Sequence, residues 1–284
     1  MPEGPEVKLS ADLIRPLVVG KLVRKINLGS SSRYAGSPPE GYKEFHDSFR
    51  DLSDIGYVVS ECKVTDISVR GKFMYWTFSN GWYMFSTFGM SGQWSPQIGK
   101  HMCLEVQLLE DKGLSSIHFN DPRHFGTVKF INDAKGLADK LDELGWDPLS
   151  MDMAKNLKWV TQQCSKTSKS IAEVLMDQTV FSGVGNYIRA EALYLSKLSP
   201  WRQANKLTPS EIETLCKSIV SVMESSYQHQ GATIQTYKTA YGEEGRYSTL
   251  FQVYGKKQDP MGRKIVKQQT PDKRSIHWCP EVQV

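Results

Sequence analysis

The chain has 284 residues, of which 39% are hydrophobic and 23% are charged, and its net charge is +4. This globular composition excludes collagen, coiled coils and wholesale disorder. No apolar run approaches the roughly 18 residues that a membrane span needs, the N-terminus is acidic where a targeting peptide would be basic, and the five cysteines form no C-x-x-C pair. We therefore expect a soluble, intracellular protein of a reducing compartment.

The charge is unevenly distributed along the chain. Residues 1–152 hold 17 Lys and Arg against 20 Asp and Glu, a net of −3, whereas residues 153–284 hold 18 against 11, a net of +7. A basic half joined to an acidic half favours a polyanion bound mainly from one side. A solvated basic surface without a partner explains the charge equally well.

The first half of the chain has the pattern of one helix followed by many strands. Apolar residues recur at helical spacing at Val7, Ala11, Ile14 and Val18. Aromatic runs at 73–78 and 82–88 flank Asn80-Gly81, and Asn-Gly between such runs is a strong hairpin signal. Further strands are predicted near 22–28, 56–69, 102–109, 115–119 and 126–131. Short strands separated by turns predict an antiparallel sandwich for a domain spanning residues 1–132.

The second half is predicted to be helical. Residues 133–152 are polar and predict an interdomain linker. Thr208 and Pro209 are a helix N-cap and a first-turn proline, and the helix that they open is predicted to end near Gln228. We assign 153–250 to a helical domain whose loop 232–250 is long enough to be functional, and 251–284 to two short strands. The predicted fold class is α+β.

The N-terminus contains a candidate nucleophile. Removal of Met1 would leave Pro2 with a free secondary amine, whose pKa of about 7.7–8.0 lies far below that of a lysine. The positive end of the following helix should lower this pKa further. A neutral amine can attack an electrophilic sugar carbon and form an iminium, with Glu3 as the neighbouring acid or base. Most chains that begin Met-Pro have no such chemistry, so this motif alone is weak.

Three other places have residues suited to phosphates or bases. Gly71 permits a close approach beside the charge of Lys72. Met90, Arg123 and Phe125 stand in Gly-flanked turns, and an apolar wedge beside an arginine suits entry into a base stack. Asn186 follows Gly183-Val-Gly185 at a helix start, where exposed N–H groups favour anions. The simpler interpretations are a solvated lysine, two hairpin turns and a tight interhelical turn.

Taken together, the motifs resemble the Fpg/Nei family of DNA glycosylases, the formamidopyrimidine-DNA glycosylases and endonuclease VIII enzymes. The resemblance is specific because the motifs occur in family order from residue 2 to residue 191, with Val253-Tyr254-Gly255 beyond them. They are Pro2-Glu3-Gly4-Pro5-Glu6, Arg70-Gly71-Lys72, Gly89-Met90-Ser91-Gly92, Asp121-Pro122-Arg123-His124-Phe125-Gly126, Asp177-Gln178-Thr179 and Gly183-Val184-Gly185-Asn186-Tyr187-Ile188-Arg189-Ala190-Glu191.

The resemblance implies a role for each matching residue. Pro2 resembles the nucleophile at C1′ of the damaged nucleotide, Glu3 the acid that assists sugar opening, and Glu6 a structural or proton-relay carboxylate. Phosphate ligands are matched by Lys72 and Asn186. The residues that fill the gap left by the flipped base are matched by Met90, Arg123 and Phe125. Residues near 170–228 resemble the family's helix–two-turns–helix DNA-binding unit.

The C-terminus departs from the usual family pattern, a four-cysteine zinc finger. The ligand pairs would fall at Met261 and Lys264 and at Cys279 and Val282, and His277 beside Cys279 cannot complete a tetrahedral site. The stretch Arg274-Ser-Ile-His-Trp278 resembles the zincless-finger branch of endonuclease VIII-like proteins, in which a β-hairpin replaces the metal element. Arg274 would then be the phosphate-binding arginine, with Arg263 as the alternative. No metal or other cofactor is expected.

The resemblance implies a bifunctional DNA glycosylase/AP lyase of base excision repair. Its expected partner is damaged double-stranded DNA, with damaged single-stranded DNA left open as a second partner, bound by a monomer with no membrane association in the nucleus or another DNA-containing compartment. Oxidised pyrimidines and hydantoins are expected as substrates, although Arg123 and Phe125 also suit 8-oxoguanine enzymes. The alternatives are a catalytically inactive DNA-binding protein of the same fold and an AP lyase without significant glycosylase activity.

Overall fold

The helices and strands follow the predicted order, from an N-terminal helix through strands to helices and a last hairpin. The computed structural model describes residues 2–30, 32–49, 62–111, 113–233 and 239–284, so part of the predicted strand 56–69 lies outside the described residues. In chain order the elements are α1 (Gly4–Val18), β1 (Leu22–Leu28), α2 (Tyr42–Ser48), β2 (Val64–Arg70), β3 (Phe73–Phe78), β4 (Tyr83–Thr87), β5 (Gln93–Ser95), β6 (Met102–Glu110), β7 (Gly113–Asn120), β8 (Thr127–Ile131), α3 (Ala134–Asp142), α4 (Met153–Ser165), α5 (Ile171–Val174), α6 (Asn186–Leu195), α7 (Pro209–Gln228), β9 (Val266–Gln269) and β10 (Ser275–Trp278). The predicted α+β class is confirmed.

Backbone contacts divide the chain into two units. The sandwich unit comprises Pro2, Glu6–Leu141 and the described part of Thr233–Gly245. The helical unit comprises Glu3–Pro5, Asp142–Ala232 and Arg246–Val284.

Two differences from the sequence-based boundaries follow. The described residues of Thr233–Gly245, part of the loop predicted to belong to the helical domain, lie in the sandwich unit, and the predicted linker contains α3 and the buried Trp146. The polarity of this part of the sequence reflects the exposure of α3, which has no buried residue.

The sandwich unit is built from two four-stranded antiparallel sheets. Their strand orders are β1-β6-β7-β5 and β2-β3-β4-β8. Alternate residues of β3 point inward, so that Met74, Trp76 and Phe78 are buried while Tyr75 and Thr77 are half-buried. This period of two is what the aromatic, β-branched runs predict for a sheet with one face on the core.

Large aromatic rings fill the sandwich core. The ring centroids of Trp76 and Trp94 lie 4.9 Å apart, and those of Trp94 and Phe119 lie 5.3 Å apart. Burial of each such ring contributes roughly 4–6 kcal/mol of transfer free energy at about 25 cal/mol per Å². Trp94 Nε1 donates to Ser86 Oγ at 3.0 Å, so its polar atom is not left unpaired in the core.

The loop segment 239–245 is anchored to the sandwich unit through β5. Gln93 donates its amide N–H to the carbonyl oxygen of Thr239, and Ser95 donates its hydroxyl to that of Ala240 at 2.8 Å. Ala240 is 1% exposed and packs in the sandwich core. Two consecutive carbonyls therefore fix the backbone of this segment, and Tyr241 beside them remains 47% exposed.

The helical unit contains strongly capped helices. Thr208 Oγ1 accepts from the backbone N–H of Glu211, and the Glu211 carboxylate accepts from the N–H of Thr208, forming a capping box with Pro209 in the first turn. Ser170 and Glu173 form a second capping box at α5. Because these signals are local in sequence, the predicted limits of α7 agree with the structure.

A C-terminal hairpin ends the helical unit. Strands β9 and β10 pair antiparallel, from Ser275 opposite Gln269 to Trp278 opposite Val266. Trp278 Nε1 donates to Gln268 Oε1 at 2.7 Å, and the Trp278 ring contacts Trp201 with centroids 6.3 Å apart. A side-chain hydrogen bond within the hairpin and an aromatic contact with Trp201 thus support its two strands.

The residues at the zinc-ligand positions of the family pattern do not fit a metal site. Met261 is 76% exposed and Cys279 is fully buried, and the described residues contain no group of three or more His, Cys, Asp or Glu side chains placed to hold a metal ion. The turn that contains Met261, the first of these positions, is held instead by Asp259. Its carboxylate accepts from the backbone N–H groups of Met261 and Arg263, at 2.9 and 2.8 Å, and from Arg263 Nε at 2.7 Å.

All five cysteines are buried and free, as their scattered positions predict for small apolar residues. Burial raises the pKa of Cys62 to about 12, that of Cys164 to about 11 and that of Cys216 to about 12. Among the described helices, none combines the length and apolar character that crossing a bilayer requires.

Candidate active site

Glu3 lies at the N-terminus of α6, within the helical unit. Its side chain is 2% exposed, and its carboxylate oxygens accept from the backbone N–H groups of Tyr187 and Ile188 at 3.1 and 3.4 Å. The positive end of a helix stabilises a carboxylate at this place. In the sequence this carboxylate directly follows Pro2.

Two glycines make room for this carboxylate and its backbone. A Cβ atom on Gly185 would lie 2.1 Å from Glu3 Cδ, and one on Gly4 would lie 3.1 Å from Gly183 Cα. Gly4 donates its N–H to the carbonyl oxygen of Gly183 at 2.9 Å. The glycines of both motifs are therefore required by close approach of side chain and backbone.

The other N-terminal candidates and Lys72 belong to the sandwich unit. Pro2 and Glu6 are buried, and the exposure of Glu6 is 1%. Lys72 is half-buried in the two-residue turn between β2 and β3. Gly71 has φ +59° there, a conformation that glycine adopts without strain.

Met90, Arg123 and Phe125 are brought together by two interlocked turns of the sandwich unit. Ser91 Oγ donates to Asp121 Oδ1 at 2.6 Å, and the N–H of Arg123 donates to Ser91 Oγ at 3.1 Å. A Cβ atom on Gly89 would lie 2.5 Å from the backbone carbon of Phe125, so only glycine lets the turns meet.

The side chains presented by these turns are solvent-accessible. Phe125 is 57% exposed, and the guanidinium carbon of Arg123 lies 5.2 Å from its ring centroid. At this distance the guanidinium is attracted to the face of the ring. Arg33 braces the same turn by donating from Nη1 to the carbonyl oxygens of His124 and Gly126, at 3.2 and 3.1 Å.

Asn186 and Arg274 are linked through the start of β10. Asn186 Nδ2 donates to the carbonyl oxygen of Ser275 at 2.9 Å, and the preceding residue is Arg274. The Arg274 side chain is half-exposed, and its carbonyl oxygen accepts from the N–H and the hydroxyl of Thr270, both at 2.8 Å. The Asn186 amide therefore contacts the backbone of the residue that directly follows Arg274.

Sequence reasoning missed two residues beside Asn186. Arg189 is fully buried, and its Nη2 donates to Asn186 Oδ1. Burial raises the pKa of Tyr254, and the influence of the Asn186 side chain opposes that rise. A buried arginine inside an apolar helix is a sequence signal that could have found the first; the position of Tyr254 depends on tertiary packing alone.

Glu191 explains how Tyr254 is positioned. The Glu191 carboxylate accepts from the backbone N–H groups of Gln252, Val253 and Tyr254, at 2.9, 3.0 and 2.7 Å. Burial raises the pKa of Glu191, and these three N–H donors oppose that effect. One carboxylate thus holds the backbone from which the Tyr254 ring projects.

Comparisons with known proteins show to which family this chain belongs. The family model described as the formamidopyrimidine-DNA glycosylase N-terminal domain matches residues 1–128, and the one described as the formamidopyrimidine-DNA glycosylase H2TH domain matches residues 144–238. The chain belongs to the formamidopyrimidine-DNA glycosylase family. The family expected from the motifs is thereby confirmed, and so is the expected enzyme class, a DNA glycosylase/AP lyase.

Relatives and solved structures match over the whole chain. The formamidopyrimidine-DNA glycosylase of Lactiplantibacillus plantarum is 29% identical over 99% of this chain and 98% of its own, and that of Herpetosiphon aurantiacus is 29% identical over 100% of both. The MutM (Fpg) protein of Thermus thermophilus has a TM-score of 0.80 at 25% identity, covering 99% of this chain and 98% of its own. Lactococcus lactis Fpg, solved with DNA containing an abasic site, has a TM-score of 0.82 at 25% identity, covering 99% of both chains.

Proposed function

We propose that this member of the family excises oxidised bases, with oxidised pyrimidines and hydantoins preferred, through an iminium at Pro2. The observation that carries the proposal is the buried Glu3 carboxylate, held by two backbone N–H groups directly after Pro2. Binding of DNA alone would have no need of a buried acid beside an amine. Damaged DNA is the proposed partner, and the chain is proposed to act as a monomer.

The proposed reaction uses the residues as follows. The Pro2 nitrogen attacks C1′ of the damaged nucleotide, so that a C1′–N bond forms while the C1′–base bond breaks, and the N–H proton of Pro2 passes to the leaving base. Glu3 assists by protonating the sugar ring oxygen as the ring opens, and Glu6 is proposed as a structural or relay carboxylate. The resulting iminium acidifies C2′, so that loss of a proton there expels the 3′-phosphate, and a further elimination expels the 5′-phosphate.

The remaining candidates are proposed to bind and open the duplex. Lys72, Asn186 and Arg274 would contact phosphates around the lesion, as cations and amides commonly do. Met90, Arg123 and Phe125 would fill the space left by the flipped nucleotide, for which the exposed Arg123–Phe125 pair is suited. Arg274 is preferred to Arg263, because Arg263 Nε is already hydrogen-bonded to Asp259 at 2.7 Å.

Borohydride trapping tests the proposal. Duplexes carrying one thymine glycol, one 8-oxoguanine, one formamidopyrimidine or one abasic site are incubated with protein confirmed by mass to begin at Pro2. We expect strong covalent adducts on the thymine glycol and abasic duplexes and weaker ones on the purine lesions.

Each contrary result has a defined meaning. Stronger trapping on the formamidopyrimidine duplex would replace the pyrimidine preference with the substrate for which the relatives are named. Trapping on the abasic duplex alone would leave an AP lyase. No adduct on any duplex would leave a DNA-binding protein and end the catalytic proposal.

Phe125, the exposed apolar residue proposed to enter the base stack, provides a second prediction. Phe125→Ala should leave the melting temperature nearly unchanged, because the ring is 57% exposed, while slowing base release from duplex DNA about tenfold, since unstacking a base costs a few kcal/mol. Release from the same lesion in single-stranded DNA should not change. Ile98→Ala, which removes a 68% exposed side chain of the same unit, is the matched control. Equal slowing on both strand forms would contradict the role of a wedge.

A further inference from the structure

Arg189 is a fully buried cation in the middle of α6. Its guanidinium bonds to acceptors from three parts of the helical unit. Nη1 donates to the carbonyl oxygen of Ala172 at 3.2 Å, and Nη2 donates to Asn186 Oδ1. The third part is the turn of the C-terminal hairpin.

The hairpin turn supplies a charged partner for this guanidinium. Arg189 Nη1 lies 3.4 Å from Asp272 Oδ2 and 3.5 Å from Thr270 Oγ1, and Nη2 lies 3.5 Å from the carbonyl oxygen of Ser275. Burial lowers the pKa of Arg189, and Asp272 is the largest opposing influence. A buried charge persists only where partners compensate its lost hydration, so movement of the turn would leave this charge poorly compensated.

The same guanidinium fixes the orientation of the Asn186 amide. Because a guanidinium only donates, the atom of Asn186 that faces it must be the carbonyl oxygen, and the amide nitrogen is thereby directed to the carbonyl oxygen of Ser275, 2.9 Å away. Both Arg189 and Asn186 thus bind Ser275, the residue that follows Arg274. The buried Arg189 side chain therefore contacts both Asn186 of α6 and Ser275 of the hairpin.

We propose that Arg189 is a positioning residue that couples the hairpin turn bearing Arg274 to the Asn186 amide, so that both side chains meet neighbouring phosphates in one fixed arrangement. The proposal rests on the phosphate roles given to Asn186 and Arg274 in the proposed function. Arg189 itself, being fully buried, does not touch DNA. Its removal should therefore change the number of phosphate contacts and leave the iminium chemistry at Pro2 intact.

The test measures binding to a duplex containing a tetrahydrofuran abasic analogue, over a range of salt concentrations. Arg189→Met keeps the length and helix propensity of the side chain and removes its charge and donors. We expect affinity to fall about tenfold or more. The slope of log affinity against log salt should decrease by about 0.9, because Arg274 is the one charged phosphate contact that the change displaces and each such contact contributes about 0.9.

A matched control separates positioning from general stability. Arg202 belongs to the same unit and pairs with Glu211, its Nη2 lying 3.1 Å from Glu211 Oε1. Arg202→Met should lower the melting temperature without changing the salt slope. Arg189→Lys, which retains the charge but not the fork of donors, should recover part of the affinity. An unchanged slope in folded Arg189→Met protein would overturn the proposal.

A second variant keeps the proposal testable if Arg189→Met does not fold. Asp272→Asn removes the charged partner of Arg189 at a partly exposed position and should weaken binding several-fold. Combined with Arg274→Ala it should add little further loss, because both changes act on one contact; fully additive losses would overturn the coupling. Borohydride trapping on the abasic duplex reports the proposed chemistry separately, so failure of the coupling and failure of the catalytic proposal give different results.

Discussion

Protein that retains Met1 should form no borohydride-trapped adduct on any duplex, whereas the same chain starting at Pro2 should trap. In the longer form the proline nitrogen is an amide nitrogen, whose lone pair is delocalised into the carbonyl group, so it cannot attack C1′. Loss of a covalent nucleophile lowers rates by roughly 10⁴-fold or more. The two forms are distinguished by intact mass and compared on the abasic duplex, where base release is not required.

Pro2→Gly is the control for this result. It retains a free amine at the same position of the chain, so it should still trap, at a reduced rate. Equal trapping by the Met1-retaining form would show that a lysine or another amine is the nucleophile, and the role proposed for Pro2 would then be wrong.

Glu3→Gln should reduce base release from the thymine glycol duplex by about 10²- to 10⁴-fold, the range typical of a lost general acid. The variant should fold, because the glutamine amide oxygen can still accept from the backbone N–H of Tyr187, which makes the shorter of the two bonds that hold Glu3. The measurement is single-turnover base release at saturating enzyme, which separates chemistry from product dissociation.

Glu211→Gln is the matched control, because Glu211 is also a carboxylate that accepts a backbone N–H, that of Thr208, at the N-terminus of a helix. It should reduce stability and leave single-turnover base release unchanged. If Glu3→Gln released the base as fast as the wild-type protein, Glu3 would be only a helix cap and the proton would have to come from elsewhere.

Elements with local signals could be predicted from the sequence. The limits of α7 follow from Thr208, Pro209 and the helical stripe, and the β3–β4 hairpin follows from Asn80-Gly81 between aromatic runs. Short elements without such signals were missed. Helix α2 begins after Gly41, which is left-handed with φ +70°, and the three residues of β5 are too few to show a period.

The candidate site could be predicted in part. Residues within contiguous motifs could be identified, whereas contacts between residues far apart in the sequence could not. Glu3, Asn186 and the wedge residues lie in contiguous motifs, so a resemblance identifies them. Arg189 was quoted within a motif but given no role, because its partners Asp272 and Ser275 lie more than eighty positions away. The anchoring of loop segment 239–245 by Gln93 and Ser95 is equally non-local.

The buried cysteines bear on the conditions in which such an enzyme operates. Oxidised bases accumulate when cellular oxidants are abundant, and oxidants attack the thiolate form of accessible cysteines. With pKa values of about 12, 11 and 12, Cys62, Cys164 and Cys216 carry thiolate in only about one molecule in 10⁴ or fewer at neutral pH. Peroxide at the concentrations that damage DNA should therefore leave these three side chains chemically intact, and the fold that surrounds them with it.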